Sequence, residues 1–352
     1  MGKKLMYGNH ALGEAAILGG CQCYFGYPIT PQNELTEYMA QNMPRVPDGV
    51  FIQSESEIAA INMVLGASVA GKRAMTSSSS PGISLKQEGI SFLAASELPA
   101  VIVNVVRGGP GLGNIAPAQS DYFQATRGGG HGDYRTIVLA PASVQEMADF
   151  TMDAFDLADI YRTPVMILTD GLIGQMMEPV VFKKPGTKKL PPKDWILDGA
   201  EGRTSRFIRS LILDVFLEEE HNWKLQRKYT LIQNKEVRVE ISNMDDAKLA
   251  IVAYGTAARI AKGAVKNARK QGLKVGLFRP QTLWPFPVKE IREVAWSVKH
   301  FLVFEMSCGQ MIEDVQLSLQ GKSNISFYGR PGGVVITPSD LITHIQREYH
   351  KI

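Results

Sequence analysis

The sequence predicts two α/β domains, the first a doubly wound parallel sheet and the second a smaller α/β unit. Three observations carry this. The composition, 45% apolar and 21% charged over 352 residues, supplies sizeable cores, and at roughly 100–200 residues per domain the length suits two units. The first half alternates Val/Ile-rich runs with helical patterns, and those runs mostly lack the two-residue alternation of a half-exposed strand. The same rhythm resumes near residue 246, after a basic, Pro-rich break.

In the first half, strands are expected at residues 23–27, 50–53, 73–76, 100–106, 136–140 and 165–169. Helices are expected at 10–19, 30–41, 56–70, 82–95 and 144–161. Alternating strands and helices of this kind form parallel sheets covered on both faces. Ser143 suits a helix cap, with Glu146 three residues later completing a capping box.

From Pro179 the composition changes. Residues 183–193 hold five lysines and three prolines and read as a linker or surface arm. An amphipathic helix of mixed charge is expected over 206–220, lying on another surface. The second domain is then read as a strand at 249–254, a helix at 257–271 closed by Gly272, and a strand at 274–279. A helix at 288–298, a strand at 301–305 and a helix at 310–319 closed by Gly321 follow, then a strand at 325–328 and a terminal helix near 339–349. Gly272 and Gly321 stand where helices commonly end in the left-handed conformation. The expected units are residues 1–182, an arm at 183–245, and 246–352.

Composition also excludes function classes. Thirty-eight Lys+Arg against 35 Asp+Glu leave +3, no basis for a nucleic-acid or polybasic membrane surface. Three cysteines exclude a disulfide scaffold and point to a reducing compartment. They also cannot supply a four-Cys iron–sulfur cluster. Cys21 and Cys23 lack C-x-x-C spacing and Cys308 stands alone, so buried or partly buried thiols are expected rather than metal ligands. No apolar run reaches the 18–20 residues of a membrane span. The opening Met1-Gly2-Lys3-Lys4-Leu5-Met6 carries neither a signal-peptide core nor the Ser/Thr of a myristoylation signal. A soluble cytoplasmic protein is expected.

Four clusters fall at predicted carboxyl ends of strands, where open parallel sheets place ligands. Tyr27-Pro28-Ile29-Thr30-Pro31 is a stiff turn that fixes the Thr30 hydroxyl; on spacing alone it better suits a helix start capped by Thr30 with Pro31 first in the helix, and the two roles can coexist. Ser54-Glu55-Ser56-Glu57 puts two carboxylates before an apolar helix. There they either complement the helix dipole or offer a partly desolvated acid to a ring nitrogen. Thr76–Gly82 is a hydroxyl-rich turn that could bind an anion or simply cap a helix. Arg107, followed by Gly108-Gly109-Pro110-Gly111-Leu112-Gly113, can present its fork to a carboxylate. This spacing is not the dinucleotide G-x-G-x-x-G, and Thr169-Asp170-Gly171 does not complete a Gly-Asp-Gly motif for diphosphate and Mg²⁺. Gly128-Gly129-Gly130-His131 reads most simply as a loop.

Together these clusters closely resemble the α-type subunits of 2-oxoacid:ferredoxin oxidoreductases. The matching text is Gly8-Asn9-His10-Ala11 with Glu14, Tyr27-Pro28-Ile29-Thr30-Pro31, Glu55-Ser56-Glu57-Ile58-Ala59-Ala60, Thr76–Gly82, Arg107-Gly108-Gly109-Pro110 and Ser120-Asp121. Gly255-Thr256-Ala257 and Arg279-Pro280-x-x-Leu283-x-Pro285-Phe286-Pro287 match in the second half. The resemblance covers 5–180 and 246–340 and leaves 183–245 largely unassigned. It implies a thiamine-diphosphate pyrimidine-binding domain joined to a transketolase C-terminal-like domain.

The resemblance further implies oxidative decarboxylation of a 2-oxoacid with coenzyme A to acyl-CoA, carbon dioxide and reduced ferredoxin. Glu57 would pair with the pyrimidine ring, with Glu55 as competitor. Tyr27, Pro28, Ile29, Thr30 and Ser79 would line the cofactor, and Thr30 and Arg107 would meet the substrate. Diphosphate and Mg²⁺ would sit on a β subunit, and iron–sulfur clusters on a γ or δ ferredoxin-like subunit, so that this chain binds no metal itself and is inactive alone. The wording of residues 8–14 and 31–37 looks most like branched-chain (2-oxoisovalerate) enzymes, with 2-oxoglutarate enzymes next. A non-catalytic α/β interaction subunit is the alternative of another class; it need not keep Thr30, Glu57 and Arg107 together.

Overall fold

The computed structural model describes residues 2–183 and 189–352. The chain begins β1 (Lys4–Tyr7), α1 (Gly8–Leu18), β2 (Cys23–Gly26), α2 (Asn33–Asn42), β3 (Val50–Gln53) and α3 (Glu57–Val69). It continues β4 (Ala74–Ser78), α4 (Ser80–Ala95), β5 (Ala100–Val106), α5 (Tyr122–Arg127), β6 (Ile137–Leu139), α6 (Val144–Tyr161) and β7 (Pro164–Asp170). Next come α7 (Gly171–Gln175), β8 (Met177–Val180), α8 (Val215–Lys235), β9 (Val239–Ser242), β10 (Leu249–Val252), α9 (Gly255–Lys270) and β11 (Val275–Pro280). The last elements are β12 (Thr282–Trp284), α10 (Val288–Ser297), β13 (His300–Glu305), α11 (Met311–Leu319), β14 (Asn324–Gly329) and α12 (Pro338–Tyr349).

The first sheet has the order β12-β6-β7-β5-β4-β2-β3 and the second β14-β13-β10-β11-β9. In the first, every pair but β12–β6 is parallel. Strands β4, β5, β6 and β7 are buried along their whole length, which is why they read as continuous apolar or small-residue runs. From β2 the chain crosses to β3 on one side and then to β4 on the other, so the sheet's switch point lies between β2 and β4. Open α/β sheets bind ligands in that crevice.

Several short elements escaped the sequence reading. β1 and β8 form a two-stranded antiparallel ribbon. β9 joins the second sheet antiparallel to β11, although it precedes residue 246. β12 leaves the second half to pair with β6 at the edge of the first sheet. Each is only three or four residues long, too short for a periodic signal.

The helix expected at 206–220 is corrected. Residues 206–213 are neither helix nor strand, and α8 starts at Val215 because Asp214 caps it, accepting N–H bonds from Phe216 and Leu217. Leu225, Tyr229 and Ile232, one stripe of α8, are buried in the core of the first sheet. Residues Lys184, Pro185, Gly186, Thr187 and Lys188 of the expected arm lie outside the described residues. Farther on, Trp195 packs against the same core, with the Arg162 guanidinium 4.7 Å from its ring centre.

The box at Ser143 is also corrected. Ser143 Oγ accepts the Glu146 N–H, but Glu146 receives Ala142 N–H and takes both Nη groups of Arg279 at 2.8 and 2.6 Å. Its carboxylate therefore joins the two halves instead of closing a local cap. Gly272 and Gly321 do take positive φ, 84° and 74°. No helix among the described residues is long and apolar enough to cross a membrane.

Candidate functional site

The four sequence clusters come together at the ends of four neighbouring strands, β5, β4, β2 and β3. After β2, the turn from Tyr27 to Pro31 stands beside the switch-point crevice, with a cis peptide between Thr30 and Pro31. Tyr27 and Pro28 are exposed and Ile29 and Thr30 half-buried. Thr30 does not cap α2, nor is Pro31 its first residue; α2 starts at Asn33 behind Gln32. Gln32 is fully buried and braces the turn from below. Its Nε2 donates to the Tyr27 carbonyl at 3.2 Å, while its Oε1 accepts from Thr36 and Ser77.

After β3, Ser56 caps α3 by accepting the Ala59 N–H at 3.2 Å. That fixes the two acids differently. Glu55, before the cap, points to solvent, whereas Glu57, the first helical residue, is only 6% exposed. Its carboxylate sits over Gly82 of α4: a Cβ there would lie 2.4 Å from Glu57 Oε1 and 2.1 Å from Ser78 Oγ. Only a residue without a side chain admits both groups.

At the end of β4, Thr76, Ser77, Ser78 and the following Ser79 are fully buried. The hydroxyls of Thr76, Ser78 and Ser79 have no hydrogen-bond partner. Buried polar atoms are nearly always satisfied, so the unpartnered Ser78 Oγ, which shares the space over Gly82 with the Glu57 carboxylate, marks a place fit for a polar ligand. A buried carboxylate beside an unpartnered hydroxyl over a glycine floor suits a heteroaromatic ring bearing nitrogen and an exocyclic amine, such as the thiamine pyrimidine.

After β5, Arg107 is 9% exposed. Its Nη1 donates to the Thr30 carbonyl and its Nη2 to the Leu112 carbonyl, each at 3.0 Å, while Nε is unpartnered. Its own N–H is held by Ser80 Oγ at 3.1 Å. Three of five guanidinium N–H bonds remain for a ligand. Beside the loop that follows opens a cavity of about 450 Å³, lined by Ser80, Pro110, Asp121, Cys308 and Gln310 among others. Burial raises the Asp121 carboxyl pKa.

Of the remaining candidates, Cys308 borders this cavity. Cys21 and Cys23 are buried, and burial pushes both thiols up; Cys308 is exposed, against expectation. His131 stands edge-on to Phe92, away from the Thr30–Arg107 contact. Among the described residues no group of three or more His, Cys, Asp or Glu is arranged to hold a metal.

The sequence reading missed two buried charges. Asp170, at the end of β7 opposite Val106, accepts the Leu172 N–H at 2.9 Å, and burial raises its pKa to about 6. Lys86 is fully buried, its Nζ lies 3.4 Å from the Glu57 carbonyl oxygen, and burial lowers its pKa to about 8. The available signal was Lys86 standing four and three residues from Gly82 and Gly89, on one helix face.

Comparisons with known proteins bear on this geometry. The family described as "Pyruvate flavodoxin/ferredoxin oxidoreductase, thiamine diP-bdg" matches residues 14–240, and "Pyruvate:ferredoxin oxidoreductase core domain II" matches 247–341. The chain is 50% identical to ketoisovalerate oxidoreductase subunit VorB of Methanothermobacter marburgensis, over 98% of each protein. This chain belongs to the 2-oxoacid:ferredoxin oxidoreductase family. It is an oxidoreductase subunit, and residues 14–240 match the family's thiamine diphosphate-binding domain. Subunit KorA of 2-oxoglutarate synthase from the same organism is 38% identical, over 96% of this chain and 97% of that one.

Among solved structures, 2-oxoglutarate:ferredoxin oxidoreductase from Magnetococcus marinus, with 2-oxoglutarate, coenzyme A and succinyl-CoA bound, has a TM-score of 0.88 at 28% identity. The match covers 99% of this chain and 65% of that one, so this chain spans about two thirds of that neighbour. A split-gene transketolase matches at TM-score 0.61 and 15% identity, a likeness of fold alone. The expectation of a pyrimidine-binding-like and a transketolase-like α/β unit is met.

Proposed function

We propose that this chain grips the pyrimidine end of thiamine diphosphate in a composite site. A β-type partner holds the diphosphate and Mg²⁺, and a ferredoxin-like partner carries the iron–sulfur clusters. The assembled enzyme oxidatively decarboxylates a branched-chain 2-oxoacid such as 2-oxoisovalerate, in the cytoplasm, passing the electrons to ferredoxin and the acyl group to coenzyme A. The observation that carries the reading is a buried glutamate at the head of α3 sharing the space over Gly82 with the unpartnered Ser78 hydroxyl, which ends the strand next to the one leading to the buried, donor-rich Arg107.

Thiamine diphosphate, when bound, supplies the nucleophilic carbon and the electron sink for decarboxylation. Glu57 offers its carboxylate to a pyrimidine ring nitrogen and exchanges a proton with it; Glu55, in solvent, is not placed for this. Ser79 and its neighbours satisfy the remaining polar edge of the ring. Arg107 receives the 2-oxoacid carboxylate through its unused N–H bonds, and the Thr30 carbonyl that it holds fixes the distance between substrate and turn. Tyr27, Pro28 and Ile29 close the mouth against water once a partner faces them.

Two features support an apolar substrate side chain. The similarity to VorB exceeds that to KorA, at 50% against 38% identity. The loop from Arg107 to Ala116 carries exposed Leu112 and Ile115 and no second cation for a distal carboxylate. Initial rates of the assembled complex with 2-oxoisovalerate, 2-oxoglutarate and pyruvate test the reading, the first being expected fastest. Preference for 2-oxoglutarate would reassign the substrate. Turnover by this chain alone, given thiamine diphosphate and Mg²⁺, would overturn the composite site.

A further inference from the structure

Helices α3 and α4 pack side by side, and their contact contains a charge that core packing does not call for. On α4, Gly82, Lys86 and Gly89 share one face, at the i, i+4, i+7 spacing of a helix. On α3, that face meets Glu57 and Ile61. A Cβ on Gly82 would strike Glu57 Oε1 at 2.4 Å, and one on Gly89 would strike Ile61 Cγ2 at 2.5 Å. The two glycines therefore let the helices approach closely, and Lys86, fully buried, fills the space between them.

Glu57 is the only charged residue of α3, and the other charge of α4, Glu88, is exposed. Strands β4 and β5 contain no charged residue; Asp170 ends β7, and Arg107 follows β5. A buried ammonium is expensive unless an opposite charge accompanies it. Here the accompanying charge is the glutamate that the proposed function uses.

We propose that Lys86 is a positioning residue: its ammonium ties down the first turn of α3 through the Glu57 carbonyl and supplies the counter-charge that holds the Glu57 carboxylate in the crevice. The inference deepens the reading of Glu57 as the pyrimidine partner and rests on it. Depression of the Lys86 pKa by burial, opposed by the Glu57 charge, agrees with the pairing.

The test uses the assembled complex. Lys86→Gln keeps a donor for the Glu57 carbonyl but removes the charge; Lys86→Arg keeps the charge. Lys86→Gln is expected to lower kcat tenfold or more, to weaken thiamine diphosphate binding several-fold in titrations without substrate, and to leave KM for the 2-oxoacid within about threefold. Lys86→Arg is expected to restore part of both losses. A kcat and cofactor affinity for Lys86→Gln equal to wild type would overturn the inference.

A reciprocal measurement leaves Lys86 unaltered. With ¹⁵N-labelled lysine followed by NMR, the Lys86 midpoint is expected to fall by about a further pH unit in Glu57→Gln, because the favourable charge is gone. An unchanged midpoint would break the pairing even if every Lys86 variant failed to assemble. Full turnover by Glu57→Gln would instead sink the cofactor reading, whatever Lys86 does.

Discussion

The Thr30 carbonyl accepts a 3.0 Å hydrogen bond from Arg107 Nη1, and the Leu112 carbonyl takes Nη2 of the same side chain. Arg107 thus joins the turn after β2 to the loop after β5 across β4. Both bonds use the planar fork, which an ammonium cannot reproduce. Arg107→Lys and Arg107→Ala should each lower kcat/KM for the 2-oxoacid, the alanine variant by about 2–5 kcal/mol. The loss should appear mainly in KM, and steady-state rates over a wide substrate range check this.

Glu55 and Glu57 stand two residues apart and differ in burial. Glu57→Gln should reduce turnover of the assembled complex by roughly a hundredfold or more, the usual scale for a lost proton-transfer group. Glu55→Gln should leave it near wild type. Gel filtration of both complexes distinguishes a chemical loss from a failure to assemble.

Asp170 is buried with its pKa raised from 3.8 to about 6. A raised carboxyl means that the folded state holds the extra proton between those values, so folding is opposed by the buried charge above pH 6 and not below 3.8. Asp170→Asn keeps an acceptor for the Leu172 N–H and removes the charge. It should therefore be the more stable protein at pH 7, by about 3 kcal/mol. The advantage should shrink as pH falls from 6 towards 4, which denaturant melts at several pH values would read.

Arg279 is 2% exposed and held by Glu146 from α6 and Glu240 from β9. Glu146→Gln leaves a buried guanidinium with one carboxylate in place of two. The expected loss is about 2–4 kcal/mol of unfolding free energy, towards the lower part of what breaking a buried pair costs because Glu240 remains. Arg279→Met, which removes the cation as well, should cost less per lost contact; chemical denaturation of both variants compares them.

Much of this architecture was readable from the chain. The buried parallel strands β4, β5 and β7 announce themselves as unbroken runs, and the helices between them by periodicity and by the cap at Ser143. The strands that escaped, β1, β8, β9 and β12, are short and draw their stability from a partner far along the chain, which local sequence does not name. The helix expected at 206–220 failed for a related reason. Residues 206–213 have an amphipathic order, but Phe207, Leu211 and Leu213 stay exposed, and the contact of Ile208 with the core is too little to hold a helix there. At the site, Thr30, Glu57, Ser79 and Arg107 were found as strand-end residues. The choice between two adjacent acids needed burial, and Lys86 needed the facing helix.

Strand β12 has a mechanical consequence. Because Thr282 and Trp284 are hydrogen-bonded into the edge of the sheet that bears Glu57 and Arg107, the two lobes are stitched rather than hinged. Swinging them apart would tear a β-ladder and uncover Leu283. The lobes therefore keep their mutual orientation for as long as that ladder stays closed.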